Sequence, residues 1–247
     1  MDSIRRRAAT MFEHAMKLNL ENIEALLGAH QGSRLLDVGC DDGERTLEFA
    51  RAAGAEQVAG IEAVADQALL ARDRGIGVRV ADVADGFPFG DESFDLLVSN
   101  QVIEHVHDTD FFMSECHRVL APGGVAVISS ENLASWHNVA AVVLGWQPFS
   151  LSNVSGCTMG LGNPAAVFRG RPHHLPDTWQ HVRVFAYRGL IELAEAHGLT
   201  VAEVRGAGYF PLPARFGRRD ARHSVFITIA ARRNGGGVRP VADPVAR

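Results

Sequence analysis

The 247-residue chain predicts an α/β domain built on a doubly wound, seven-stranded, mostly parallel sheet with an antiparallel last strand and a cap insertion. Two observations carry this. Short apolar runs alternate with amphipathic helical patterns from Arg34 to Ser130, and parallel strands covered on both faces require that alternation. Near the C-terminus two strand patterns follow each other with no helix between them, so they pair antiparallel.

The elements follow in order. Residues 2–28 read as an amphipathic helix, because Ile4, Met11, Ala15, Leu18, Ile23 and Leu27 share one side. "SRLLDVG" is a strand and "ERTLEFARAAG" a helix that ends at Gly54. "QVAGIE" is a strand, "ADQALLARDRG" a helix and "GVRVAD" a short strand. After the loop "VADGFPFGDES" comes the strand "FDLLVSN". The helix "TDFFMSECHRVLAPGG" is stopped by Pro122 and Gly123 and leads into the strand "GVAVISS". Residues 132–180 are rich in Gly, Pro, Asn, Trp and His, with a helical piece near Trp136 to Leu144. A structureless loop of that length is unusual in a compact domain, so this segment is expected to be a lid or substrate cap. Regularity returns with the helix "YRGLIELAEAHG" and the strands "LTVAEVRGAGYF" and "HSVFITIAARR". The expected division is a helical segment at 1–30, a main domain at 31–231 with its insertion at 132–180, and a disordered tail at 232–247.

Composition narrows the function classes. At 47% hydrophobic and 21% charged residues the chain can bury a sizeable core. A net charge of −5 argues against a general nucleic-acid binder. Cys40, Cys116 and Cys157 are odd in number and widely spaced, which suits a reducing cytoplasm better than a disulfide framework or zinc knuckle. No apolar run approaches the ~20 residues of a membrane span, and "NVAAVVLGW" reads as a buried or cap helix. Arg5 to Arg7 are followed by no apolar signal core.

The stretch "RLLDVGCDDG" ends the first strand in a glycine turn, as a nucleotide-binding loop does. Gly39 and Gly43 would let the backbone turn tightly and approach a ligand. A phosphate favours basic groups or bare amides, whereas Asp37, Asp41 and Asp42 would repel a dianion and welcome a cation. S-adenosylmethionine bears an ammonium and a sulfonium and no phosphate, so it fits better than NAD or ATP. The missing Gly-x-Gly-x-x-Gly pattern also disfavours an NAD-linked oxidoreductase. Asp42 and Glu44 read as a helix cap and dipole partner. Asp37, inside an apolar strand, is the ligand candidate.

These residues extend into a longer ordered pattern. "LLDVGCDDG" is followed by Glu62 at the end of "VAGIE", by Asp82 and Val83 after the third strand, by "FPFGDESFDLLVSNQVIEHV" and by "HRVLAPGGVAVIS". From Arg34 to Ser130 the chain resembles the class I S-adenosylmethionine-dependent methyltransferases (methyltransferase type 11), and among them the ubiquinone-biosynthesis-type subgroup. The resemblance implies a Rossmann-like fold, S-adenosyl-L-methionine as cofactor and S-adenosyl-L-homocysteine as product. It implies that Gly39 and Cys40 line the methionine end within the Gly39–Gly43 loop and that Asp37 holds the amino group. Glu62 would accept from both ribose hydroxyls, with Ala63 beside it. Asp82 would receive the adenine amino group, Val83 would pack on the ring, and Asn100 and Gln101 would lie by the methyl exit. Asp41 stands where the family often has glycine, a substitution that Asp tolerates better than most residues.

Methyl transfer from a sulfonium is an in-line displacement that rests on alignment, and a base assists when the acceptor is a hydroxyl. His105 in "VIEHV" is the first candidate base; the competing reading makes Glu104 and His105 a helix start that shapes the pocket. His181 in "TWQHVRVF" and His137 in "SENLASWHN" are further candidates. A metal held by Glu104, His105 and a cap histidine is conceivable, but no ligand spacing compels it and none is assigned. Trp136, Trp146, Phe149, Phe168 and Trp179 suit a small organic acceptor or a mini-core of the cap. "NQVIEH" stands where methylases of amide nitrogens and nucleobases carry an Asn-Pro-Pro-Tyr-like run. The resulting expectation is O-methylation of a small metabolite, glycoside or natural product, with no nucleic-acid partner. Carbon or amine methylation and a non-catalytic S-adenosylmethionine-binding module are the alternatives. The cap and N-terminal helix offer surfaces for a homodimer.

Overall fold

The computed structural model describes residues 2–156, 158–167, 169 and 180–235, with the side chains of residues 2–6 and 8 outside the description. Helix α1 (Asp2–Leu27) leads into β1 (Arg34–Val38), α2 (Glu44–Ala53), β2 (Gln57–Glu62), α3 (Ala65–Asp73) and β3 (Gly77–Val80). Then come β4 (Phe94–Asn100), α4 (Thr109–Val119), β5 (Leu120–Glu131), α5 (Trp136–Val143), α6 (Tyr187–Ala196), β6 (Leu199–Ala207) and β7 (Phe226–Arg233). The sheet order is β3-β2-β1-β4-β5-β7-β6. β1 to β5 pair in parallel, and β7 lies between β5 and β6, antiparallel to both. The order reverses between β1 and β4, so the crevice for a ligand opens beyond their carboxyl ends.

Strand alternation sorts the core into two faces. Leu36, Val38, Leu97 and Ile128 meet Phe112 and Met113 of α4 and Leu190 and Ala194 of α6. Leu35, Leu96, Val98 and Val127 face the other way, against Ile23 and Leu27 of α1 and Phe49 of α2. Each fully buried Leu, Ile or Phe contributes about 1.5–3 kcal/mol, so the paired faces hold the strand ends in register for the site. Ala68 and Ala71 of α3 pack on Cys40, Ile76 and Val78.

Several boundaries differ from expectation. Helix α4 ends at Val119, because Pro122 disfavours helical geometry in the residue before it and Leu120 already pairs with Phe94. The next pair is Leu96 with Val125, and the residues between turn back through Gly123 at φ 80°. β6 stops at Ala207, where Gly208 takes φ 78°, and β7 starts at Phe226 and runs through Arg233, beyond residue 231. Within 132–180 the structure has α5 and a 3-10 turn at Phe149–Leu151. Ile4's side chain, Cys157, Phe168, Trp179 and the tail from 236 lie outside the described residues. Among the described residues no helix is long and apolar enough to cross a membrane.

Candidate active site

Asp37 has the same strand parity as Leu35, so it faces α2, where Thr46 donates to it at 2.6 Å. It is 3% exposed. Burial pushes its carboxyl up to about 7, against the Thr46 hydrogen bond and with help from Glu62. The N–H groups of Gly39 and Cys40 both donate to Ile61 O, at 2.9 and 3.1 Å. These residues therefore offer a ligand a close backbone surface and no free amide. Gly39 has φ 77°, and a Cβ there would lie 2.5 Å from Val102 Cγ2. Gly43 also has a positive φ, but a side chain on it would strike Ile76 and Ala71. Its smallness thus serves the packing of α3 against the loop.

The acidic turn is ordered by its own charges. Asp42 caps α2 from outside, accepting from Glu44 N–H at 3.0 Å, and pairs with Arg74 at 3.0 Å. Asp41 takes φ 48°, the left-handed geometry of the glycine it replaces, and its N–H donates to Glu62 Oε2 at 2.9 Å. The other oxygen of Glu62 accepts from Val64 N–H at 2.8 Å. Each oxygen keeps acceptor capacity after one bond, so Glu62 is both oriented and available. Ala63 beside it is exposed. Asp82 is exposed and accepts from Ala84 N–H at 2.9 Å, while Val83 is half-buried against the main core.

At the end of β4, Asn100 Oδ1 accepts from Asn19 Nδ2 at 3.0 Å. Asn19 Oδ1 accepts from Ser129 at 2.9 Å and Thr228 at 2.8 Å. The buried Asn19 thus ties α1 to three strands and orients Asn100. Sequence reasoning missed it, although an asparagine one turn after Ala15 on the apolar side of α1 was its signal. Gln101 has φ 57° and donates from its backbone to Ser129 O at 2.9 Å and from Nε2 to Ser129 Oγ at 3.3 Å.

The 3-10 turn Ile103–His105 presents Glu104 and His105 beside the same strand end. Glu104 is fully buried; one oxygen accepts from Ser130 Oγ at 3.1 Å and Oε1 has no partner among the described residues. Burial pushes its carboxyl up to about 7, opposed by His181. The His105 and His181 rings lie 4.9 Å apart in an edge-on arrangement. His105 Nδ1 is 3.1 Å from Gln180 O, and His181 Nδ1 is 2.6 Å from Ser150 O. Carbonyls only accept, so each neutral ring carries its proton on Nδ1 and a lone pair on Nε2. Burial, with His181 nearby, brings His105 down to about 4. Glu131, not anticipated from the sequence, lies 3.8 Å from His181. Ligand atoms of Glu104, His105 and His181 fall within 4.8 Å of one another, a donor set that a divalent ion could use. His137 has another setting, edge-on to Phe149 and Phe210 at 5.2 and 5.3 Å, and burial brings it down to about 4. The fold therefore joins His105 to His181, while His137 lines a neighbouring cavity.

Known proteins resemble this chain in sequence and in fold. The methyltransferase domain family matches residues 36–128. A ubiquinone biosynthesis O-methyltransferase of Sinorhizobium medicae is 37% identical over 128 residues, which are 48% of this chain and 51% of that protein. A probable S-adenosylmethionine-dependent methyltransferase of Mycolicibacterium smegmatis is 31% identical over 178 residues, 70% of this chain and 63% of that one. The chain thus spans about half the length of the ubiquinone-type relative. An S-adenosylmethionine-dependent methyltransferase of Thermotoga maritima, described as a possible histamine N-methyltransferase, shares the fold with a TM-score of 0.61. Its identity is 17%, and the match covers 93% of this chain and 94% of that one. With the sheet order, the acidic glycine turn and the Glu62 carboxylate in place, residues 36–128 form a methyltransferase domain of the class I S-adenosylmethionine-dependent type, and over about half its length the chain is similar to ubiquinone biosynthesis O-methyltransferases.

Proposed function

We propose that the protein transfers the methyl group of S-adenosylmethionine to a hydroxyl of a small organic acceptor. The observation that carries this reading is the imidazole pair at the end of β4, with both Nδ1 atoms on backbone carbonyls. A lone pair of the acceptor oxygen attacks the methyl carbon. The carbon–sulfur bond would break with its electrons staying on sulfur, so that S-adenosylhomocysteine would leave with a neutral thioether. The hydroxyl proton passes to His105. Burial keeps this imidazole neutral beforehand, so its Nε2 lone pair is free to take the proton, which it then releases to solvent. The relative from Sinorhizobium medicae, a ubiquinone biosynthesis O-methyltransferase, favours oxygen as the nucleophile.

In this reading Asp37 binds the cofactor's ammonium and Glu62 its ribose hydroxyls, with Ala63 alongside. Asp82 receives the adenine amino group while Val83 packs on the ring. Gly39, Cys40 and Gly43 shape the turn around the methionine end, and Asn100 and Gln101 border the methyl exit. Calorimetry tests the cofactor assignment: S-adenosylhomocysteine should bind and NADH should not, and Glu62→Ala should weaken the former at least tenfold. His105→Ala should cut turnover a hundredfold, in the range of general-base contributions, while cofactor affinity holds; full turnover in this variant would end the base assignment. The Glu104, His105 and His181 donor set favours a second reading, in which a divalent ion activates the hydroxyl. Turnover that survives a chelator selects the base; turnover lost to the chelator and restored by added metal selects the ion.

A further inference from the structure

Between α5 and the turn at Tyr209–Leu212 lies a cavity of about 690 Å³, within the range of small-molecule sites. Trp136, His137, Leu144, Phe149, Phe210 and Leu212 form most of its wall, and among the described residues no Asp, Glu, Lys or Arg lines it. We infer that this cavity receives an uncharged aromatic or alicyclic ring of the methyl acceptor, leaving the acceptor's hydroxyl for the His105–His181 pair. The identity of the ligand as acceptor rests on the methyl-transfer reading; the ligand class rests on the cavity alone.

Continuity with the imidazole pair is the first support. Phe149 lines the cavity, and the carbonyl of the next residue, Ser150, holds His181 at 2.6 Å. Asn138 of α5 latches the same turn, accepting from Ser150 N–H at 3.2 Å and donating to Ser150 Oγ at 2.8 Å. It also donates to Asn132 O at 3.0 Å, just past β5. Wall, helix and imidazole therefore form one braced unit.

Polarity selects the ligand. A charged group would lose hydration in this cavity and find no counter-charge among the described lining residues. Even its histidine stays uncharged at neutral pH, since burial brings His137 down to about 4. The rim is set before any ligand arrives: Trp136 stacks on His223 at 4.4 Å and donates to Tyr209 Oη at 2.8 Å, and Tyr209 donates to Asp220 at 2.7 Å. A wall that needs no ordering favours a rigid planar partner.

The test uses the full chain and the uncharged fluorophore N-phenyl-1-naphthylamine. It should bind saturably at one site, and 2-naphthol should displace it at least tenfold better than the anion 2-naphthoate. Ala140 lines the cavity from an exposed position on α5, so Ala140→Trp should fold and should weaken the probe at least tenfold. S-adenosylhomocysteine affinity should stay within twofold. No saturable binding, equal binding to the variant, or equal competition by naphthoate overturns the proposal. So does light scattering that finds a dimer split by Ala140→Trp, because a second copy would then fill the cavity. Probe binding without S-adenosylhomocysteine binding would instead overturn the methyl-transfer reading and the acceptor identity, leaving the ligand class standing.

Discussion

Asp37 shows how one residue's place changes its chemistry. Its carboxyl, near 7 through burial, is half protonated at neutral pH, whereas the proposed contact with a cofactor ammonium needs the ionised form. S-adenosylhomocysteine affinity should therefore rise between pH 5.5 and 8, by up to about tenfold per unit below the midpoint. Asp37→Asn should weaken binding at pH 8 and flatten that slope; calorimetry across pH reads both effects, and a sloping profile in the variant would assign the titration elsewhere. Gly39 makes a second case. Left-handed geometry in a residue with a side chain costs about 1–2 kcal/mol, and the Val102 contact adds to it. Gly39→Ala should lower the melting temperature and weaken the cofactor together.

Among the elements, α1 contributes more than cover. Its Asn19 satisfies Asn100, Ser129 and Thr228 inside the sheet. Asn19→Ala would leave those buried groups short of partners, at about 1–3 kcal/mol for each one left unsatisfied. Denaturant unfolding should show that loss, and S-adenosylhomocysteine should bind more weakly because Asn100 loses its anchor. A stable variant with weakened cofactor would separate positioning from stability. The strands that end in site residues were legible: β2 and β4 have the residue ranges that their apolar runs predict. The end of α4 was not, because its last turn gave way to the pairing of Leu120 with Phe94, a contact made across the fold.

At the scale of the whole molecule, two buried acids set a pH dependence of folding. Asp37 and Glu104 both stand near 7 in the folded chain, above their ordinary values. The folded state then binds more protons than the unfolded state between about pH 4 and 7. Their contribution is present below about pH 4 and is lost as pH rises through about 7. The melting temperature of the cofactor-free protein should thus fall less between pH 5 and 8 in Asp37→Asn or Glu104→Gln than in the parent. Equal slopes in all three would refute a shared origin in these acids.

The sequence by itself determined the order of the elements and the acidic turn, which depend on local periodicity, glycine placement and short-range charge, all within a few neighbouring residues; its ordered motifs carried the resemblance to a family. Asp41 could be recognised as a stand-in for glycine, and it adopts the left-handed geometry that role requires. Only the tertiary structure decided that His181 joins His105 while His137 turns to an aromatic cavity, that Gly43 makes room for α3, and that Asn19 braces Asn100. Each of these is a contact between segments remote in the chain, and its partner is chosen by packing across the sheet.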